Sequence, residues 1–402
     1  MPHFIVVGAG QAGASLVAKL RQLGFAGDVS LIGAEPAPPY QRPPLSKKYL
    51  IGDMPLERLF LRAERFYAEA DIDLVTGRRV ATIDPAAKTV TLDDGRTLAW
   101  DRLALATGAD PIQLPAAIGG ALEGVYLMRT LADADAMAPE FTAGRRALVV
   151  GGGYIGLEAA AVAAGRGLEV TLVEQADRIL KRVAAPETSD YFRDLHRSRG
   201  VDIREGIGLA ELVGRDGRVV AARLQDGTTI EIDFAVVGIG VRPATALAEA
   251  AGLAVENGIR VDAFGRTSHA DIFAAGDCAS FPHGDGRVRL ESAPHAIDHA
   301  EATAAAMLGG EAPYVARPWF WSDQYDVKLQ IAGLNAGYDR VVIRPGKADA
   351  RSIWYFAGDR LLAVDAMNDA RAYMIGRRLI EAGLSPAPEA LADPATDLKA
   401  LM

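Results

Sequence analysis

Two stretches of this 402-residue chain run through the same order of apolar and small residues. In the first, residues 4–7 are an apolar run of strand length, a glycine-rich turn follows, residues 12–23 read as a helix, and residues 29–32 are again strand-like. In the second, residues 148–150 are a strand, another glycine turn follows, residues 155–164 are helical, and residues 169–173 make the next strand. Strand, tight turn, helix and strand in that order predict a βαβ unit, so each half opens as a nucleotide-binding domain does. The segments LDDGRTLAWDRLALATGADP (92–111) and LQDGTTIEIDFAVVGIGVRP (224–243) align without a gap. In each copy Asp-Gly joins two short strands, and a last apolar strand ends in Thr107-Gly108 or Ile239-Gly240, so the two domains share one topology. Beyond about residue 315 the pattern changes to alternating strand-like segments at 328–331, 340–343, 353–356 and 361–367, then a helix from about Ala370. That texture predicts a smaller α+β domain.

Length fits two or three domains, and a chain that is 50% hydrophobic and 24% charged, with 42 glycines, suits a compact enzyme rich in tight turns. The net charge of −9 supplies no basic footprint for nucleic acid or an anionic membrane, and neither is expected as a partner. The most apolar stretch, residues 147–157, stops at Glu158, short of the about 20 residues a membrane span needs. No basic region or cleavage site precedes the first strand, so a cytoplasmic location is expected. Cys278 is the only cysteine, which excludes an internal disulfide or a cysteine-ligated cluster.

The first turn, Gly8-Ala9-Gly10-Gln11-Ala12-Gly13, has the spacing at which one glycine makes the turn, one admits a pyrophosphate and one lets helix pack on strand. Glu35 ends the next strand about twenty residues on, where a carboxylate accepts hydrogen bonds from ribose hydroxyls. Gly151-Gly152-Gly153-Tyr154-Ile155-Gly156 repeats the turn, with Glu174 in the corresponding place. A 2′-phosphate would meet that carboxylate as a second anion, whereas a free hydroxyl donates to it, so NADH is expected over NADPH; Arg178 is the opposing cation nearby. Other features leave two readings each. Asp277, after Gly276, is either an acceptor for a polyol or a helix N-cap. Arg42-Pro43-Pro44-Leu45-Ser46-Lys47 is a rigid turn offering two cations to a flavin edge, or a solvated loop. Pro318-Trp319-Phe320-Trp321 lies beside a cofactor or is core. His295 and His299, one helical turn apart, lack further ligands nearby, so no metal is expected and a solvated or packed helix face is. Cys278 is read as a small packed residue.

Together these motifs resemble the FAD-dependent, NADH-using ferredoxin reductases of bacterial oxygenase systems. The resemblance spans nearly the whole chain and is carried by PYQRPPLSK (39–47), GGGYIGLE (151–158), IFAAGDCA (272–279), ESAPHA (291–296) and PWFWSDQ (318–324). It implies an α/β, glutathione-reductase-like fold: an FAD domain from residues 1–110 and 241–315, an NAD domain at 111–240, and a C-terminal α+β interface domain at 316–402. It further implies FAD contacts at Gly8, Gly10, Ala12, Gly13, Glu35, Arg42, Lys47, Val80, Thr107, Gly108, Arg129, Asp277, Ala293 and Trp321. NAD contacts follow at Gly151, Gly153, Tyr154, Ile155, Gly156, Glu158, Glu174 and Gly240. By the same resemblance Lys47 lies near flavin N5, Asp277 on the ribitol, Glu158 on the nicotinamide side, and Trp321 flanks the isoalloxazine. Lys47, Glu158 and Trp321 are the expected catalytic residues. Ala34 stands where some relatives have a ribose-binding aspartate, so that role passes to Glu35. Thiol-using relatives carry a cysteine in the stretch that here holds Ser46.

The expected reaction takes a hydride from NADH onto FAD and passes single electrons to a 2Fe-2S ferredoxin. Rubredoxin, a quinone or monodehydroascorbate as acceptor, or an NADH-sensing flavin-binding protein, are the rival readings. Lys47, Lys48, Arg58, Arg62 and Arg65 form a basic stretch suited to steering an acidic ferredoxin, and a monomer or weak dimer is expected.

Overall fold

A computed structural model describes residues 1–402, which fall into two compact units. The first comprises Met1–Gln41, Pro55–Asp110 and Val241–Pro318; the second comprises Arg42–Met54, Pro111–Gly240 and Trp319–Met402.

The first unit is built on a five-stranded parallel sheet in the order Ile272–Ala274, Arg102–Leu105, His3–Val7, Asp28–Ile32, Ile72–Val75. Its strands are near-continuous apolar runs because both faces are covered, as a parallel sheet requires. The helices Gln11–Gln22 and Ala293–Met307 pack on one face, with Leu16, Val17, Leu20, Ala300 and Ala304 in one core. The antiparallel strands Val80–Asp84, Thr89–Leu92 and Thr97–Ala99 form a small second sheet.

The second unit repeats this plan. Its parallel sheet runs Asp202–Glu205, Glu169–Glu174, Arg146–Val150, Phe234–Val237, Val125–Leu127, and its small antiparallel sheet is Leu209–Arg215, Arg218–Leu224, Thr229–Glu231. The gapless sequence repeat thus corresponds in both copies to the end of the small sheet, its Asp-Gly turn and the return into the parallel sheet.

The remainder of the second unit is a five-stranded antiparallel sheet in the order Trp319–Gln324, Val327–Gly333, Arg360–Met367, Arg351–Ala357, Arg340–Pro345. Trp319–Gln324 was absent from the strand pattern expected above, because three successive aromatics hide the alternation. One face of this sheet packs under the helix Ala370–Glu381 through Trp354, Phe356 and Val364. The other face sends Leu329, Ile353, Tyr355 and Met367 into a core shared with Leu157, Ile179, Leu180 and Phe192. Leu50 joins that core, so Arg42–Met54 groups with the second unit although it lies early in the chain.

Candidate functional site

Both glycine turns have the same geometry, reached by the same physics. Gly8 and Gly151 take φ of +113° and +106°, and a Cβ on either would collide with a backbone carbonyl, that of Ala106 or of Gly238. Gly13 and Gly156 lie so close to the carbonyls of Gly8 and Gly151 that a side chain would overlap them. Gly10 and Gly153 differ: each precedes its helix with no side-chain cap, and no atom lies within 4 Å of where a Cβ would stand. An uncapped helix N-terminus facing open space presents unpaired N–H groups, which is the arrangement that binds a pyrophosphate.

In the first unit three more features gather at the Gly8 turn. A Cβ on Gly276 would stand 2.9 Å from that of Ala12 and 3.7 Å from that of Ala296, so only glycine lets this loop pass between the two helices. Asp277 follows at once, inside the short 3-10 turn Gly276–Cys278, which corrects the N-cap reading, since Ala275 holds the cap position. Ser292 caps the helix that starts at Ala293 by accepting from the His295 N–H at 3.3 Å. Glu35 accepts a hydrogen bond from the Tyr40 hydroxyl, Thr107 donates to the Ala244 carbonyl at 2.7 Å, Gly108 turns at φ +72°, and Val80 is buried at a bulge. His295 and His299 are buried in an aromatic cluster with Phe281 and Tyr314, and burial lowers the His295 pKa to about 4. Cys278 is fully buried, and desolvation raises its thiol pKa.

In the second unit Glu174 braces its own turn. One carboxylate oxygen accepts from the Gly152 N–H and the other from the Ala176 N–H, both at 2.7 Å. Arg178 is directed elsewhere, to Ser189 Oγ at 2.6 Å and the Ala184 carbonyl at 2.8 Å. Ile155 is exposed on the first turn of the helix, and Gly240 turns at φ +113°. Arg42 reaches the carbonyl of Arg129 at 2.6 Å.

Lys47 and Glu158, which sequence reasoning named separately, form an ion pair at 2.9 Å. Glu158 is the single charge in the alanine-rich helix Tyr154–Gly165 and is only 5% exposed. Ser46 donates to one of its oxygens at 2.9 Å and Ser322 to the other at 2.7 Å. Burial pushes the Glu158 pKa up, while Lys47 and the two hydroxyls pull it down. The strand Trp319–Gln324 alternates faces. Phe320 meets Tyr154 (ring centroids 4.9 Å apart) and Ser322 meets Glu158, while Trp321 stacks on Trp319 at 5.6 Å on the other side. Both faces of the aromatic run are half-buried: Phe320 lies against Tyr154, and Trp319 packs on the core beneath the helix Ala370–Glu381.

Ser46 and Ser322 were not singled out for Glu158 from sequence. Their neighbours Lys47 and Trp321 were named as flavin contacts and not as partners of Glu158, and strand alternation was the available signal for Ser322. Lys47 also leaves the expected basic surface: its side chain is 16% exposed and faces Glu158, whereas Lys48, Arg58, Arg62 and Arg65 are exposed. The residues assigned to FAD divide between the units, with Arg42, Lys47, Arg129 and Trp321 in the second and the rest in the first.

Two Rossmann-type domains, each with an open glycine turn, followed by an antiparallel α+β domain define a glutathione-reductase-like oxidoreductase. The chain belongs to the pyridine nucleotide-disulphide oxidoreductase family, whose model matches residues 2–300, while the reductase C-terminal model matches residues 319–402. It is 43% identical to a ferredoxin–NAD(P)(+) reductase of Sphingomonas sp, over 99% of this chain and 97% of that one. It is 41% identical to putidaredoxin reductase of Pseudomonas putida, over 100% and 96%. The reductase in the crystal structure of the covalent putidaredoxin reductase-putidaredoxin complex superposes with a TM-score of 0.96 at 40% identity, covering 100% of this chain and 98% of that one. No helix is long and apolar enough to cross a membrane.

Proposed function

We propose that this protein takes electrons from NADH and delivers them, by way of bound FAD, to a small 2Fe-2S ferredoxin that serves an oxygenase. The observation that carries this reading is the pair of open, uncapped glycine turns in a chain whose one thiol is fully buried, with its pKa raised by that burial. Two dinucleotides fit, and no dithiol stands ready to take electrons onward. The acceptor follows the names of the relatives, one a ferredoxin reductase and another caught in complex with putidaredoxin. The division into an FAD domain, an NAD domain and a C-terminal domain at the boundaries given above is part of the proposal.

FAD is assigned to the Gly8 turn, with Ala12, Glu35, Val80, Thr107, Gly108, Asp277 and Ala293 as its partners there; Arg42, Lys47, Arg129 and Trp321 are further candidate contacts by the resemblance to the ferredoxin reductases. Bound FAD accepts an electron pair as hydride and returns electrons singly, which no side chain does. Lys47 contributes a fixed positive charge, held by Glu158, for an electron-rich ring. The nucleotide is bound by Gly151, Gly153, Tyr154, Ile155, Gly156 and Gly240. Glu174 retains lone pairs for a ribose hydroxyl and repels a 2′-phosphate, and Arg178 is already engaged, so NADH is favoured over NADPH. Exposed Arg58, Arg62 and Arg65 steer an acidic ferredoxin.

Rapid mixing of the purified protein with NADH under argon should bleach the flavin absorbance, and a flavin that stays oxidised would end the proposal. Steady-state rates with ferredoxin, rubredoxin, a quinone and monodehydroascorbate then identify the acceptor. Sustained NADH consumption with ferredoxin excludes a sensor without turnover.

A further inference from the structure

We infer that the C-terminal sheet is a working part of the nucleotide site: Asp365, Tyr355 and Asn335 clamp the segment following Glu174 against the Gly151 turn and so set how tightly the dinucleotide binds. This rests on the reading that the Gly151 turn takes NADH.

The clamped segment lies between the strand Glu169–Glu174 and the helix Pro186–Ser198. It touches the glycine turn directly. The Leu180 N–H donates to the Gly152 carbonyl at 2.9 Å, and Ile179 Cγ2 lies 2.6 Å from where a Cβ on Gly152 would stand. Leu180 holds φ of +55°, a conformation a leucine keeps only when its surroundings over-determine it. The nucleotide sheet supplies one such restraint, the Glu205 carboxylate accepting from the Ile179 N–H at 2.8 Å.

The other restraints come from the C-terminal sheet and its turns. Asn335 Nδ2 donates to the Val183 carbonyl at 2.9 Å, the Ala185 N–H donates to the Tyr355 hydroxyl at 3.1 Å, and in the first turn of the helix that ends the segment Thr188 Oγ1 donates to Asp365 Oδ2 at 2.8 Å. Tyr355 donates its own proton to the same carboxylate oxygen. Asp365 is 1% exposed. A carboxylate buried with hydroxyl partners and no salt bridge is an expensive way to join two layers that apolar side chains would join better, so its presence argues for positioning rather than adhesion. Tyr154 lies on the nucleotide side with its hydroxyl buried and without a partner, and burial first, then the charge of Asp365, raises its pKa.

The test uses the oxidised, FAD-loaded holoprotein and isothermal titration with NAD+. Thr188→Val, Tyr355→Phe and Asn335→Ala each remove one strut. Each should raise the NAD+ dissociation constant roughly five- to tenfold, about the value of one hydrogen bond, with flavin content and spectrum unchanged and kcat at saturating NADH within about twofold. Asn335 is only half-buried, so its variant keeps the test decisive if a buried variant fails to fold. Ser352→Ala is the comparison: it breaks the 3.0 Å bond from Trp354 Nε1 elsewhere in the same sheet, and should lower Tm while leaving NAD+ affinity alone. Unchanged affinity in the three strut variants, or an equal loss in Ser352→Ala, overturns the clamp. If the wild-type holoprotein does not bind NAD+ at all, it is the assignment of the Gly151 turn that fails, and the clamp goes with it.

Discussion

Glu158 is the one charged residue of a helix that is otherwise alanine, glycine and apolar side chains, and it survives there because three donors meet it. Removing the cation leaves a buried carboxylate without its counter-charge, whereas neutralising the acid leaves only a lysine with 16% of its side chain in water. Lys47→Met is therefore expected to destabilise by about 3–5 kcal/mol and Glu158→Gln by clearly less, read from urea unfolding. Hydride transfer from NADH should slow at least roughly tenfold in Lys47→Met, the scale of losing one preorganised charge. Equal stability of the two variants would contradict this account of the pair. Asp365 makes a second prediction at this scale. Burial raises its pKa from 3.8 to about 6, so the folded protein binds this proton more tightly than the unfolded chain. The associated stability is fully present below about pH 4 and is lost as pH rises through about 6, on the order of 3 kcal/mol. Asp365→Asn should lack that component, so the gap between wild type and variant measured by denaturant unfolding should change across this window and be flat above it.

At the scale of elements, the two glycine turns separate folding from binding within six residues. The middle glycine borders empty space and the first does not. Gly153→Ala should fold with Tm within a few degrees of wild type and keep its FAD, yet raise the KM for NADH by at least roughly tenfold, because the new methyl occupies the anion's place. Gly8→Ala combines φ +113° with a collision against the Ala106 carbonyl and should cost more than about 4 kcal/mol, seen as insoluble or flavin-free protein. A Gly153→Ala protein with normal KM would show that the open space is not the nucleotide's. The helices and strands that set these turns were legible because apolar runs of strand length alternate with glycine. The strand Trp319–Gln324 was not: Trp319, Phe320 and Trp321 are all large and apolar, so its two faces became distinguishable only through what each side touches.

For the whole molecule, charge is distributed unevenly on a background of −9. Arg58, Arg62 and Arg65 are exposed, although Glu57 and Glu64 sit among them, so their field is modest. The triple reversal Arg58→Glu, Arg62→Glu, Arg65→Glu should lower kcat/KM for an acidic ferredoxin several-fold at low salt, with the difference shrinking as the Debye length falls below about 10 Å. Reduction of ferricyanide, which needs no docking, should be unaffected, and a ferredoxin rate indifferent to both reversal and salt would remove steering from the proposal. Sequence alone determined the two βαβ openings, their shared topology, both glycine turns, the carboxylates Glu35 and Glu174 that follow the second strands, and that a single cysteine forms no internal disulfide. All of these are written in local spacing, where a residue's consequence depends on neighbours within one turn or one strand. Only the tertiary structure decided that Lys47 belongs to Glu158 rather than to the surface, that Arg42–Met54 packs with the second unit, and that the Asp365 carboxylate meets Thr188. Those pairings join residues more than a hundred positions apart, and which distant partner a buried charge meets is set by how layers stack, which no local period encodes.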